Sequence, residues 1–212
     1  MTKSKTQIVG RVFIILHLVG IAGFSFEQSL PLFQLLTPVN LLLSLGLLLW
    51  CHSEINPRFI VLSIAVGLLG YLSEVVGVNT GLIFGEYSYG ATLGFKVWGT
   101  PLLIGVNWLM MIYYTSAIAK KYLDQPWLQV IVASILMALM DLLIEPVAIT
   151  YDYWSWAGDH IPLQNYLGWF VLSILLHSLY NNIDKTRENG AATYLALAQF
   201  IFFLALNIFR TF

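Results

Sequence analysis

Seven apolar stretches of about 20 residues, joined by short polar connections, leave this chain few folds to choose from. A helix needs about 20 mostly apolar residues to cross a bilayer. Backbone in lipid must also satisfy its own hydrogen bonds, which a helix does. The stretches run from about Ile8 to Phe26, Phe33 to Trp50, Arg58 to Gly77, Thr100 to Ala119, Pro126 to Ile149, Leu163 to Tyr180 and Ala192 to Phe209. Of the 212 residues, 58% are hydrophobic and 10% charged, against about 25% charged in soluble domains. The expected fold is all-α: a polytopic membrane helix bundle of about seven transmembrane helices, forming one domain over residues 1–212. Lysines before the first apolar run resemble a signal peptide. The run is long and lacks a small-x-small cleavage site before Glu27, so it reads as a retained helix.

Lysine and arginine set the expected orientation. With seven crossings, Lys3, Lys5, Arg11, Arg58, Lys120, Lys121, Lys185 and Arg187 fall on one side, and only Lys96 and Arg210 on the other. Eight against two predicts a cytoplasmic N-terminus and an outward C-terminus. A net charge of -1 offers no basic surface to nucleic acid. The single cysteine, Cys51, excludes an intrachain disulfide.

Against this plain background the stretch Ser73–Gly90, SEVVGVNTGLIFGEYSYG, stands out. It holds Glu74 and Glu86, the glycines Gly77, Gly81, Gly85 and Gly90, and Tyr87 and Tyr89. Acids near lipid are costly and mark function by default. The fifth segment adds Asp141 and Glu145, four apart and therefore on one helix face. Asp141 lies roughly 6 Å deeper than Glu145 at about 1.5 Å per residue. Pro146 should distort the helix there. Counted along their helices, Glu74 and Glu145 reach similar depth in the outer half. Asn107 and Trp108 occur near the outer start of the fourth segment. Apart from Arg58 at the opposite end of the third span, no lysine or arginine lies in the third or fifth apolar span to pair with these acids. A carboxylic acid kept neutral in an apolar cavity is a competent proton donor; equally, each acid could bond Trp, Tyr and Asn side chains and serve structure alone.

Other polar residues have plainer readings. Glu86, Tyr87 and Tyr89 could cap the acid cavity or form an interfacial belt. For Tyr151, Tyr153, Trp154 and Trp156 the belt is the better reading, since Tyr and Trp gather at headgroup level. His17 fits a structural hydrogen bond between helices, and His177 likewise. A metal site from His160 with Asp152 and Asp159 would be weak, and no phosphate-binding glycine motif is present. The seventh segment lacks the lysine that a retinal Schiff base needs. No cofactor is expected.

The pattern Glu74-x-x-Gly77, Thr80-Gly81-x-x-Phe84-Gly85-x-Tyr87-x-Tyr89, then Gly94, Pro101 and Asn107-Trp108, resembles the membrane carotenoid hydratase family, which includes bisanhydrobacterioruberin and gamma-carotene hydratases. Asp141-x-x-x-Glu145-Pro146 and Trp154-x-Trp156 resemble it too. The likeness extends from the first helix to the sixth. It implies a lipophilic carotenoid as substrate, in a prokaryotic cytoplasmic membrane, with room for association with other carotenoid enzymes or a second copy of the chain.

The implied reaction is hydration of a terminal trisubstituted double bond. Protonation gives a tertiary carbocation, and water captures it. The residues suit this with Asp141 as donor, Glu145 and Glu74 holding water or supporting the cation, and Glu86 and Asn107 completing hydrogen bonds. Tyr87, Tyr89, Trp108 and Trp154 would contact substrate. Three alternatives stay open. A cyclase would protonate the same bond and close a ring. A proton or small-solute transporter would use the acids as a relay. A non-catalytic assembly partner would need none of them.

Overall fold

The computed structural model describes residues 3–158, 160–183 and 189–210. Lys185, Arg187 and Asp159, used above for orientation and a metal site, lie outside them. Among the described residues the chain forms seven long helices: α1 (Lys3–Ser25), α2 (Leu30–Trp50), α3 (Pro57–Thr80), α4 (Leu103–Tyr122), α5 (Pro126–Thr150), α6 (Leu163–Ile183) and α7 (Gly190–Arg210). Each matches one apolar stretch of the sequence. Proline at the first positions of α2, α3 and α5 starts those helices without losing a needed donor. Pro146 does not end α5, which continues to Thr150.

Five helices, α1, α2, α3, α5 and α7, are long and apolar enough to cross a membrane. α4 and α6 fall short on composition, and the reason lies in packing. α4 touches α2, α3, α5, α6 and α7. It is sheathed in protein, so it can carry polar side chains that find partners. Thr115 Oγ1 donates to Met111 O at 2.7 Å and lies 2.7 Å from His177 Nε2 of α6. The lipid-type surface is supplied instead by the outer helices, where Leu35, Val61, Ile64 and Leu68 stand exposed.

The expectation of an all-helical chain misses two short ribbons at one end of the bundle. β1 (Tyr87–Tyr89) pairs antiparallel with β2 (Trp154–Trp156), Tyr87 opposite Trp156 and Tyr89 opposite Trp154. A second pair joins β3 (Lys96–Val97) to β4 (Thr100–Pro101). The first ribbon follows from two matching tripeptides, Tyr-Ser-Tyr and Trp-Ser-Trp. Side chains alternate faces along a strand, so all four aromatics share the face turned to the bundle. Ser88 and Ser155 share the opposite, exposed face, with hydroxyls 3.3 Å apart. Trp154 and Trp156 are therefore buried; Tyr153, just before the strand, is buried as well, so none of the three forms an interfacial belt.

α3 and α4 meet through glycine. A Cβ on Gly105 would sit 2.8 Å from Gly67 O. Gly105→Val should therefore cost roughly 1–3 kcal/mol by forcing the helices apart. Thermal unfolding in detergent should show a lowered midpoint, while Gly46→Ala, with nothing within 4 Å of the new methyl, should not lower it.

Candidate active site

The ribbon end of the bundle holds the acids. α3 stops at Gly81, which takes a left-handed conformation (φ 68°) open to glycine. Its N–H closes the helix on Gly77 O at 2.8 Å. The chain then folds back, so β1 crosses above Glu74. Glu74 lies six residues below the end of α3 and Glu145 five below the end of α5. Both carboxyls are thus roughly 7–9 Å beneath that end, and both are buried.

Each glutamate accepts three hydrogen bonds. Glu74 Oε1 accepts from Trp108 Nε1 at 3.0 Å; its Oε2 accepts from the Tyr87 hydroxyl and from Tyr89 at 2.8 Å. Glu145 Oε2 accepts from Trp154 Nε1 at 3.0 Å and Trp156 Nε1 at 2.8 Å. Its Oε1 accepts from Asn165 Nδ2 at 2.9 Å. The inward face of the ribbon thus sends two hydroxyls to one acid and two indoles to the other. Burial first, then the neighbouring Glu74, pushes the Tyr87 and Tyr89 hydroxyls up from the ordinary tyrosine range. They stay protonated and able to donate.

Asn165 was not singled out by sequence. It sits in the first turn of α6, three residues after Pro162, and its Nδ2 also donates to Asp141 Oδ2 at 3.0 Å. One amide therefore ties both acids of α5. Asp141 Oδ1 is buried with no hydrogen-bond partner among the described residues. Trp169, one turn further along α6, stacks on Trp108 with centroids 4.4 Å apart. The visible signal for both was their place near the start of an apolar segment, at the depth of Glu145.

Two cavities meet here. A small one of about 20 Å³ is lined by Glu74, Glu145, Asn165, Asn107, Tyr87 and Trp108 among others. One water needs roughly 10–15 Å³ measured this way, so it fits. The larger, about 250 Å³, runs between α1, α2, α4, α5 and α7, and its walls are mostly apolar, with His17, Thr37, Asn40 and Gln199 among them. Ile104, Asn107 and Trp154 line both cavities and form the wall between them. Asp141 is fully buried and lines neither.

Of the residues expected at the site, Glu74, Glu145, Tyr87, Tyr89, Asn107, Trp108 and Trp154 converge on the small cavity. Glu86 does not. Its side chain is exposed and its backbone carbonyl accepts from Ala157 N at 2.9 Å, stitching the ribbon instead. Strand alternation explains the loss, since Tyr87 and Tyr89 take the inward positions. Among the described residues no three His, Cys, Asp or Glu side chains are arranged to hold a metal ion.

A family model described as "Carotenoid biosynthesis protein" matches residues 36–211. Bisanhydrobacterioruberin hydratase of Haloarcula japonica is 27% identical over 122 aligned positions, covering 51% of this chain and 40% of that protein. The chain therefore spans less than half of that relative's length. No solved structure matches.

Replacing Asn165 by leucine should strip Asp141 of its hydrogen bond and Glu145 of one in three. Unpaired buried polar groups cost about 1–3 kcal/mol, so unfolding in detergent should shift down accordingly. Asn165→Asp, which exchanges the donor for a further acceptor, should lose more at neutral pH.

Proposed function

Because the chain belongs to the carotenoid biosynthesis protein family, we propose that it is a hydratase adding water to the terminal double bond of an acyclic carotenoid end group. The observation that carries this reading is the pairing of cavities. A water-sized, acid-lined space lies against a largely apolar one, with three residues as the shared wall. Small-molecule pockets are commonly about 300–1,000 Å³. The apolar cavity is slightly smaller, which suits one end group with the rest of the polyene outside. The name of the Haloarcula japonica relative agrees with hydration.

The hydrogen bonds suggest how the acids divide the work. Every partner of Glu145 is an N–H group that can only donate. Those donors offset part of the cost of a charged carboxylate there. Glu74 differs: two of its partners are hydroxyls, which can donate or accept. Glu74 can therefore hold a proton, and it faces the small cavity. Asp141, with one bare oxygen, suits a neutral acid behind Glu145. Glu74 thus replaces Asp141 as the group we assign to donation.

In the reaction, the Glu74 carboxyl proton passes to the less substituted alkene carbon, and the π electrons form the new C–H bond. The tertiary cation that results lies near the Glu145 carboxylate and the indole faces of Trp108 and Trp154, which favour positive charge. Water then forms the C–O bond and releases one proton to Glu74, restoring the acid. The polar small cavity favours hydration over ring closure, which has no use for a water. Embedded in a prokaryotic cytoplasmic membrane with seven crossings and a cytoplasmic N-terminus, the ribbon end would face outward, where water is available.

Expression in bacteria that accumulate lycopene or gamma-carotene tests the reading. Extracted pigment should gain the mass of one water per reacted end, with its chromophore unchanged. A ring-closed isomer of unchanged mass would make the protein a cyclase instead. Glu74→Gln should lower turnover by about 10²–10⁴-fold, the span associated with a positioned acid. Asp141→Asn, which keeps a neutral side chain, should stay within about tenfold of wild type by the same scale.

A further inference from the structure

A tertiary carbocation has three ordinary fates. Water can capture it, an internal double bond can close on it, or it can lose a neighbouring proton and return to an alkene. Which one occurs depends on what touches it first. The cation would form at the wall between the two cavities, where Ile104, Asn107 and Trp154 stand. Ile104 has no polar side-chain atom. Trp154 has one, and it is committed to Glu145.

Asn107 is the exception. Its Nδ2 meets only the Met111 thioether at 3.5 Å, a weak acceptor. Its Oδ1 accepts no hydrogen bond from any described residue. A half-buried amide facing a water-sized space with its capacity unspent is suited to hold water. It can accept one water hydrogen through Oδ1, or donate through Nδ2 at the small cost of leaving sulfur. Glu74 and Glu145 line the same space and can take the other hydrogen.

We propose that Asn107 is a positioning residue that holds the attacking water and so directs the cation to the alcohol. The inference rests on the hydratase reading above. With water held, the oxygen lone pair forms the C–O bond and the surplus proton goes to the Glu74 carboxylate. Without it, the same carboxylate removes a proton from a carbon beside the cation, and an alkene returns.

Heavy water separates these fates. In D₂O the acid delivers deuterium, so a cation that reverts by losing a hydrogen other than the one delivered leaves label in the recovered hydrocarbon, while capture appears as alcohol. Protein in liposomes loaded with lycopene is incubated in D₂O, and both products are weighed by mass spectrometry. Asn107→Leu should lower the ratio of alcohol to labelled hydrocarbon at least tenfold. Asn107→Ser, which keeps a hydroxyl, should recover part of that loss. An unchanged ratio in Asn107→Leu would overturn the assignment, as would equal ratios for the serine and leucine variants. Disappearance of both products in folded Asn107→Leu would also overturn it, because the residue would then act on protonation. Should the leucine variant fail to fold, Asn107→Ala is read by the same ratio. Wild-type protein giving neither alcohol nor label would instead sink the hydratase reading itself.

Discussion

Three buried carboxyls with no cation beside them set the terms for this fold. None of Glu74, Asp141 and Glu145 pairs with a lysine or arginine among the described residues. Glu74 and Glu145 are satisfied by neutral donors, six between them. A hydrogen bond contributes about 0.5–1.5 kcal/mol net to a neutral carboxyl and about 1.5–3 kcal/mol to a carboxylate, and a buried acid without such bonds costs several kcal/mol. The donors come from four places: α4, α6 and both strands of the ribbon. The acids therefore act as ties. α3 is bound to α4 and β1, and α5 to α6 and β2. Losing one tie also leaves a buried acid less satisfied.

The opposite end of the bundle handles polar groups differently. There His52 Nδ1 lies 2.7 Å from the Tyr113 hydroxyl, and Asn189 Nδ2 donates to Tyr113 at 2.7 Å and to Leu48 O at 3.0 Å. His52 also stacks on Phe59, centroids 3.9 Å apart. This network bonds helix to helix and is packed into the core. Deeper in, His177 is held by Thr115 and by Ser173 O at 2.7 Å. These groups bond helix to helix away from the acids, the structural placement expected of His177. At the ribbon end such groups line a cavity of about 20 Å³.

Helix positions were legible from hydropathy because lipid demands long apolar runs, and all seven runs became helices. Crossing the membrane was harder to read for α4 and α6, whose neighbours are protein. The aromatic residues were misread for a related reason. Tyr and Trp at a membrane boundary are the same residues whether they face headgroups or a buried acid. Only the alternation in Tyr87-Ser88-Tyr89 and Trp154-Ser155-Trp156 tells the two apart, and three-residue strands carry too little pattern to announce themselves. Glu86 was lost to the same alternation. Asn165 went unnoticed because one asparagine near a helix start usually signals a cap, and its partners lie on another helix. The depth of Glu74 and Glu145 could be counted along each helix, but their convergence required the crossing of α3, α4 and α5.

The acid and the water of the proposed reaction need opposite surroundings, and the two cavities would answer that conflict. Protonating an alkene requires a dry site, because bulk water would level the acid and quench the cation wherever it formed. Hydration nonetheless consumes one water. Confining it to a space of about 20 Å³ admits the reactant while excluding the solvent. In the proposed hydration, the wall of Ile104, Asn107 and Trp154 would be the reaction boundary, with hydrocarbon on one side and oxygen on the other. Trp154 belongs to both halves of the design, as its indole N–H fixes Glu145 while the residue lines both cavities. On the proposed reading, the ribbon that satisfies the acids would also keep water and polyene apart until the cation forms.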